Sequence, residues 1–174
     1  TLRAMKALIE DIAPLFAGKA CAPSDRAAEC ERTFRLLGRQ GLLGMALSGI
    51  DMALWDALGR ALGQPVAALL GGSPRAIDAY DSFGLIDIKE DAKRLEAEDL
   101  VGHATVRASR LAPVQTGENW WFAADMAKAI EAKACDHAMP DIMKIGGVTG
   151  WLRAAALAET ASLPISSHIF VEAS

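Results

Sequence analysis

The sequence predicts an α/β protein in which a helical N-terminal region is followed by strand–helix repeats. Two observations support this fold class. Apolar residues recur at helical spacing over residues 1–62. After Pro74, short apolar runs alternate with helical stretches of about a dozen residues, a pattern typical of βαβ units. Consecutive units of this kind form a parallel sheet, so we expect one in the second half of the chain.

Three helices are predicted in the N-terminal region. The first covers residues 1–17, with Pro14 disturbing its end. The second begins near Ser24, a candidate N-cap, and continues until Gly38. The third covers residues 42–62 and is apolar on nearly every side, so we expect it to be buried between two layers.

The strand–helix repeats leave two architectures open, a doubly wound sheet and a (β/α)8 barrel. Gly146 and Gly147 do not have the G-x-G-x-x-G spacing, which disfavours a dinucleotide-binding sheet. The predicted units are a strand over residues 77–83, a charged helix over 87–99, a strand over 113–118, a helix over 123–132, a strand-like run over 137–145, a helix over 149–160 and a strand over 164–168.

Composition excludes several classes of protein. The 174 residues are 52% hydrophobic, and 18 Lys and Arg against 22 Asp and Glu give a net charge of -4. We therefore expect a folded core and no nucleic-acid partner. No uninterrupted apolar run reaches the ~18 residues typical of a membrane span, so no membrane is expected. Three cysteines without a C-x-x-C pair favour the reducing cytoplasm.

Three polar residues each follow a short apolar run and are separated by about one strand–helix repeat, namely Glu118, Asp141 and His168. The carboxyl ends of parallel strands share one edge, so these side chains should converge on one pocket. A carboxylate is a hard oxygen ligand suited to Mg²⁺, which makes Glu118 the candidate metal ligand. Asp141 would orient His168 as a general base or acid.

Each of these residues also has a purely structural interpretation. Glu118 could cap the helix that follows it, Asp141 could be a turn residue after Pro140, and His168 could be a hydrogen-bonded core histidine. Two further residues are candidates for substrate binding. Ser82 ends the first predicted strand, and Lys144 lies on the same strand-end stretch as Asp141; a loop residue is the alternative for each.

Four segments resemble a known family. ALSGIDMALWD (residues 46–56) resembles the buried helix of the capping domain of the enolase superfamily. TGENW (116–120), MPDIMKIGGVTGW (139–151) and SSHIF (166–170) look like the fifth, sixth and seventh strand ends of mandelate racemase. The resemblance implies a (β/α)8 TIM barrel, incomplete here, with the helical part of an α+β capping domain at residues 1–73 and the barrel at 74–174.

The resemblance also implies roles for individual residues. Glu118 would be one of three carboxylate ligands to Mg²⁺, Asp141 and His168 would form the catalytic dyad, and Ser82 would lie near the bound carboxylate of a small acid substrate. The muconate-cycloisomerase branch has a lysine where this sequence has Asp141, so the mandelate racemase branch is favoured. Members of the family commonly assemble as homo-oligomers.

The sequence departs from the family pattern between Ser82 and Glu118, because the second, third and fourth strand ends are missing. A barrel without internal strands cannot close. We therefore expect the intact protein to contain further residues near positions 100–102. The chain also begins without Met at Thr1 and stops before an eighth strand, so further sequence is expected there too.

The reaction that the resemblance implies is Mg²⁺-assisted removal of the proton alpha to a carboxylate, through an enediolate. The first hypothesis is a 2-hydroxy-acid racemase similar to mandelate racemase. An acid-sugar dehydratase of the same family is the alternative, and a catalytically inactive family member is a third.

Overall fold

The computed structural model describes residues 2–75 and 113–168. Its N-terminal part is helical, as predicted. A 3₁₀ turn at Ala13–Leu15 follows the first helix, in agreement with the disturbance expected at Pro14. The helices are α1 (Leu2–Ile12), α2 (Pro23–Thr33), α3 (Leu42–Leu62) and the short α4 (Val66–Leu69).

The boundaries of the second helix differ from the prediction. Helix α2 begins at Pro23, and its N-cap residue is Ala22, so the expectation that Ser24 is the N-cap was wrong. Proline at the first helical position has a suitable fixed φ and no N–H to satisfy, which places the start there. The helix ends at Thr33, where Phe34 provides the C-cap, four residues earlier than expected.

Helix α3 has the predicted bounds and contacts helices from both parts of the chain, although some of the surface that we expected to be buried between two layers is exposed. Its residues Leu43, Leu47 and Ile50 pack in one cluster with α1 and α2, and it also contacts two C-terminal helices. Exposed positions on it are Ala53, Asp56, Ala57 and Arg60. These polar and small residues leave one side open to solvent. Among the residues described, α3 alone is long and apolar enough to cross a membrane, by length and composition only; its Leu47 and Trp55 side chains are buried in the core.

The C-terminal part contains a parallel strand arrangement. Strand β1 (Gln115–Thr116) pairs in parallel with β2 (His137–Ala138), and bridges from Ala138 to Ile165 and from Asp141 to His168 extend the pairing. Strand β1 is followed by α5 (Phe122–Glu131), and β2 is followed by the short α6 (Ile142–Ile145) and by α7 (Gly147–Thr160). The predicted alternation is confirmed for residues 113–168, whereas the predicted units at 77–83 and 87–99 lie outside the described residues.

The run at residues 142–145 is helical, which corrects its assignment to the strand-like run over 137–145. Asp141 accepts a hydrogen bond from the Met143 amide at 2.8 Å and caps α6, so the chain turns into a helix immediately after the strand. Ile142 and Ile145 are almost fully buried and fix this turn against the core. The apolar pattern alone does not separate a buried strand from one buried helical turn.

A buried polar junction joins α3 to α7. Asp51 on α3 accepts hydrogen bonds from the Thr149 amide at 2.9 Å and from the Thr149 hydroxyl at 2.6 Å. Trp55 donates from its indole nitrogen to the same hydroxyl oxygen at 3.0 Å. The carboxylate thus satisfies an amide in the first turn of α7, where a helix favours negative charge.

Replacing Thr149 by valine should destabilise this junction. The variant keeps the shape of the side chain but leaves Asp51 without its hydroxyl donor and the Trp55 indole without an acceptor. We expect the free energy of unfolding to fall by about 2 kcal/mol, measured by urea denaturation. Thr160→Val is the control, because among the described residues the Thr160 hydroxyl bonds only the exposed Ala156 carbonyl. Equal losses in both variants would contradict a special role for the junction.

The junction also predicts a pH dependence of stability. Burial raises the pKa of the Asp51 carboxyl above its ordinary value of 3.8, against the opposing effect of the bonds from Thr149. The folded state therefore holds the Asp51 proton more tightly than the unfolded state. This contribution to stability is complete below pH ~4 and is lost as the pH rises through the raised pKa. Urea unfolding at several pH values should show that the stability of wild type relative to Asp51→Asn declines over that range; a constant difference would contradict it.

Candidate functional site

Three strand ends bring Glu118, Asp141 and His168 together. The His168 Nε2 atom lies 2.9 Å from Glu118 Oε2, and its Nδ1 atom lies 3.1 Å from Asp141 Oδ2. Parallel pairing of Asp141 with His168 places these two residues side by side at one edge of the sheet. The convergence expected from their spacing is therefore present in the structure.

Gly117 determines the path of the backbone between β1 and Glu118. Its φ of +142° is one that other residues rarely adopt. A Cβ atom there would lie 2.8 Å from the Trp120 ring and 2.9 Å from the Met139 carbonyl carbon. The chain can therefore leave β1 and pass close to the neighbouring strand only with glycine here. Glu118 makes no cap for α5, whose N-cap is Trp121, and its side chain is half exposed.

Asp141 combines a structural and a site role. Its Oδ1 atom caps α6 through the Met143 amide, while its Oδ2 atom faces the His168 ring. The side chain is 8% exposed, so its two oxygens are held by two fixed partners. The turn interpretation and the orienting interpretation of Asp141 are thus both consistent with its contacts.

His168 has a carboxylate on each side. An imidazole that donates from Nδ1 to Asp141 presents Nε2 to the other side of the ring. Only the imidazolium can donate to Asp141 and Glu118 at the same time. With Nδ1 facing Asp141, Nε2 is the ring nitrogen left for proton exchange; it faces Glu118 Oε2 at 2.9 Å, and the side chain is about one quarter exposed.

Lys144 lies beside this cluster but does not contact its carboxylates among the hydrogen bonds of the described residues. Its Nζ atom donates to Asn119 Oδ1 at 2.7 Å, and Asn119 Nδ2 donates to Glu118 Oε1 at 3.3 Å. Asn119 lies in the TGENW segment, but an amide next to a carboxylate has no distinctive spacing, so the sequence alone does not indicate a role for it. Ser82, the other predicted substrate-binding residue, lies outside the described residues.

The donor set fits a divalent cation in part. Glu118 offers carboxylate oxygens at an accessible strand end, which are ligands that Mg²⁺ accepts. Asp141 is only 8% exposed and its oxygens face His168 and the α6 amide, so it is less accessible to a cation than the half-exposed Glu118. Within residues 2–75 and 113–168 there is no group of three His, Cys, Asp or Glu side chains that could hold a metal. Glu118 is therefore suited to be one ligand of a site that needs others.

Two family models match the chain. The model described as "Enolase C-terminal domain-like" matches residues 75–174, and the one described as "Mandelate racemase / muconate lactonizing enzyme, N-terminal domain" matches residues 2–71. Together they cover the helical N-terminal part and the strand–helix part of the chain.

Similar proteins include one solved structure and two curated relatives. A crystal structure of an enolase from Bradyrhizobium, complexed with magnesium and mandelic acid, is 37% identical with a TM-score of 0.87 over 98% of this chain. An arabinonate dehydratase of Saccharolobus solfataricus is 40% identical over 36% of this chain. A D-galactonate dehydratase family member of Paenibacillus is 39% identical over 55% of it.

The chain is shorter than these proteins. It covers 67% of the Bradyrhizobium chain, and its matches cover 17% and 24% of the two curated relatives. The structural match confirms the predicted fold class, an incomplete TIM barrel with part of an N-terminal domain.

Proposed function

This chain belongs to the mandelate racemase/muconate lactonizing enzyme family of the enolase superfamily, and we propose that the intact protein removes the proton alpha to the carboxylate of a small organic acid. The observation that carries the proposal is the placement of the His168 ring between the carboxylates of Glu118 and Asp141, at the ends of parallel strands. With Asp141 holding Nδ1, Nε2 is the nitrogen at which the ring accepts a proton, once Nε2 is deprotonated and no longer donates to Glu118 Oε2.

The chain and a bound metal ion would supply different parts of the reaction. The alpha proton of a carboxylate is far too weakly acidic for a side-chain base alone, and a bound Mg²⁺ supplies stabilisation of the charge that develops on the substrate carboxylate. We propose that Glu118 is one ligand of that Mg²⁺. His168 takes the proton at Nε2, and Asp141 fixes the ring and stabilises its positive charge.

We propose racemisation of a 2-hydroxy acid as the first candidate reaction. The mandelic acid bound in the Bradyrhizobium enolase supports it, as does Asp141 at the sixth strand end. Dehydration of an acid sugar is the second candidate, because the arabinonate and D-galactonate relatives are dehydratases. The two reactions share the proton-removal step and differ in whether the beta hydroxyl then leaves.

Incubation of the intact protein with Mg²⁺ in D₂O tests the proposal. A panel of 2-hydroxy acids and sugar acids is followed by NMR. Alpha-deuterium exchange with retained hydroxyls supports the racemase, and loss of water supports the dehydratase. No reaction across the whole panel would contradict both and favour a catalytically inactive family member.

We further propose a domain boundary at residues 73 and 74, an assembly of several copies and a cytoplasmic location. The two family models meet between residues 71 and 75, which supports the boundary. The adjacent Leu36 and Leu37 are 98% and 79% exposed, an apolar pair that association would bury. Light scattering of the intact protein measures the number of copies, and a monomer would contradict the assembly.

A further inference from the structure

We propose that Lys144 and Asn119 are positioning residues that orient the Glu118 carboxylate, an inference that rests on the proposed role of Glu118 as a Mg²⁺ ligand. The observation is a continuous chain of hydrogen bonds. It runs from Lys144 Nζ to Asn119 Oδ1 at 2.7 Å, and from Asn119 Nδ2 to Glu118 Oε1 at 3.3 Å.

The lysine determines which way the amide points. An ammonium group only donates hydrogen bonds, so the Asn119 side chain must present its oxygen to Lys144. Its NH₂ group then points away from Lys144 and donates to Glu118 Oε1. Were the amide to turn over, its oxygen would face the carboxylate and repel it. Lys144 therefore acts on Glu118 indirectly, because its positive charge fixes the orientation of the Asn119 amide.

The two carboxylate oxygens of Glu118 have different partners. Oε1 is tied to the chain through Asn119, and Oε2 is directed toward His168 Nε2 at 2.9 Å. Fixing one oxygen lowers the number of rotamers that the half-exposed side chain can sample. A carboxylate ligand held by an outer partner in this way loses less freedom when it binds a cation.

Helix α6 carries two residues that hold this arrangement together, Asp141 and Lys144. Its N-cap Asp141 holds His168 Nδ1, and one turn later Lys144 holds the amide that contacts Glu118. The helix is anchored by Ile142 and Ile145, which are almost fully buried. One rigid helical turn thus sets the carboxylates on both sides of the His168 ring.

Mg²⁺ titration calorimetry of the intact protein tests this inference without measuring activity. We expect Lys144→Met and Asn119→Ala each to weaken Mg²⁺ binding about tenfold, and Lys144→Arg, which keeps a cationic donor, to restore most of it. Lys144→Glu should weaken it at least as much as Lys144→Met, because a carboxylate draws the NH₂ group of Asn119 and turns the amide over. Lys128→Met is the matched control, since Lys128 pairs only with Asp125 on α5 in the described part of the chain.

The double variant decides whether Lys144 acts through Asn119. If it does, Lys144→Met causes little further loss in the Asn119→Ala background. Independent, additive losses, or unchanged affinity in Lys144→Met, would overturn the inference and return Lys144 to direct substrate binding or to a surface role. Failure of the proposed function is distinguishable, because Glu118→Gln would then leave Mg²⁺ binding as it is in wild type. In that case the inference fails with it.

Discussion

Replacing His168 by asparagine is expected to lower the rate of alpha-proton exchange by about 10²- to 10⁴-fold. Asparagine has similar polarity but no group that accepts and returns a proton near neutral pH. The Asp141 and Glu118 carboxylates that flank the ring would remain in place. The measurement is the NMR rate of deuterium incorporation into the acid that the substrate panel identifies.

Two further variants make this result specific. Asp141→Asn removes the charge that holds His168 Nδ1 and should also slow exchange strongly, with a smaller effect on substrate affinity. The Lys6→Gln variant, changed on the exposed face of α1, should catalyse alpha-deuterium exchange at the wild-type rate. If His168→Asn kept exchange within about threefold of wild type, His168 could not be the group that moves the proton.

Replacing Gly147 by alanine is expected to lower the free energy of unfolding by about 2–4 kcal/mol. The φ of Gly147 is +69°, and a Cβ atom there would lie 2.5 Å from Asp51 Oδ2 and 2.9 Å from the Ser48 carbonyl oxygen. The start of α7 would have to move away from α3. That movement would also weaken the bonds between Asp51 and Thr149.

Gly49→Ala provides the contrast within α3. Within residues 2–75 and 113–168, no atom beyond its chain neighbours and the backbone of α3 lies within 4 Å of a Cβ atom at Gly49, and alanine favours helix more than glycine does. We expect this variant to be as stable as wild type or more stable by up to ~1 kcal/mol in urea denaturation. A loss for Gly147→Ala no larger than the effect of Gly49→Ala would show that α3 and α7 can separate at no cost.

The sequence was sufficient to predict features that depend on spacing. The bounds of α3 and the convergence of Glu118, Asp141 and His168 follow from periodicity and from the shared edge of parallel strands. Features that depend on one local hydrogen bond were not predictable. The helical turn of α6 depends on the cap that Asp141 provides, and apolar residues at 142–145 suit a strand equally well.

The sequence pattern also could not predict contacts between residues that lie far apart in the chain. Asp51 falls within a motif that was recognised as a helix, but its partner Thr149 is 98 residues away. Asn119 acquires its partner Lys144 only when the strand ends assemble. Such pairs have no periodicity, because their geometry is set by tertiary packing and not by the local chain.

The double attachment of Asp141 constrains how this protein could acquire a different chemistry. A substitution that gives the sixth strand end another proton-transfer group removes, in the same step, the side chain on which the following helical turn depends. An evolutionary or laboratory route to new reactivity would therefore need a compensating change nearby, either before or together with the exchange. We expect replacements that remove the capping oxygen to lower the free energy of unfolding by about 1 kcal/mol, and asparagine, which keeps that oxygen, to lower it less.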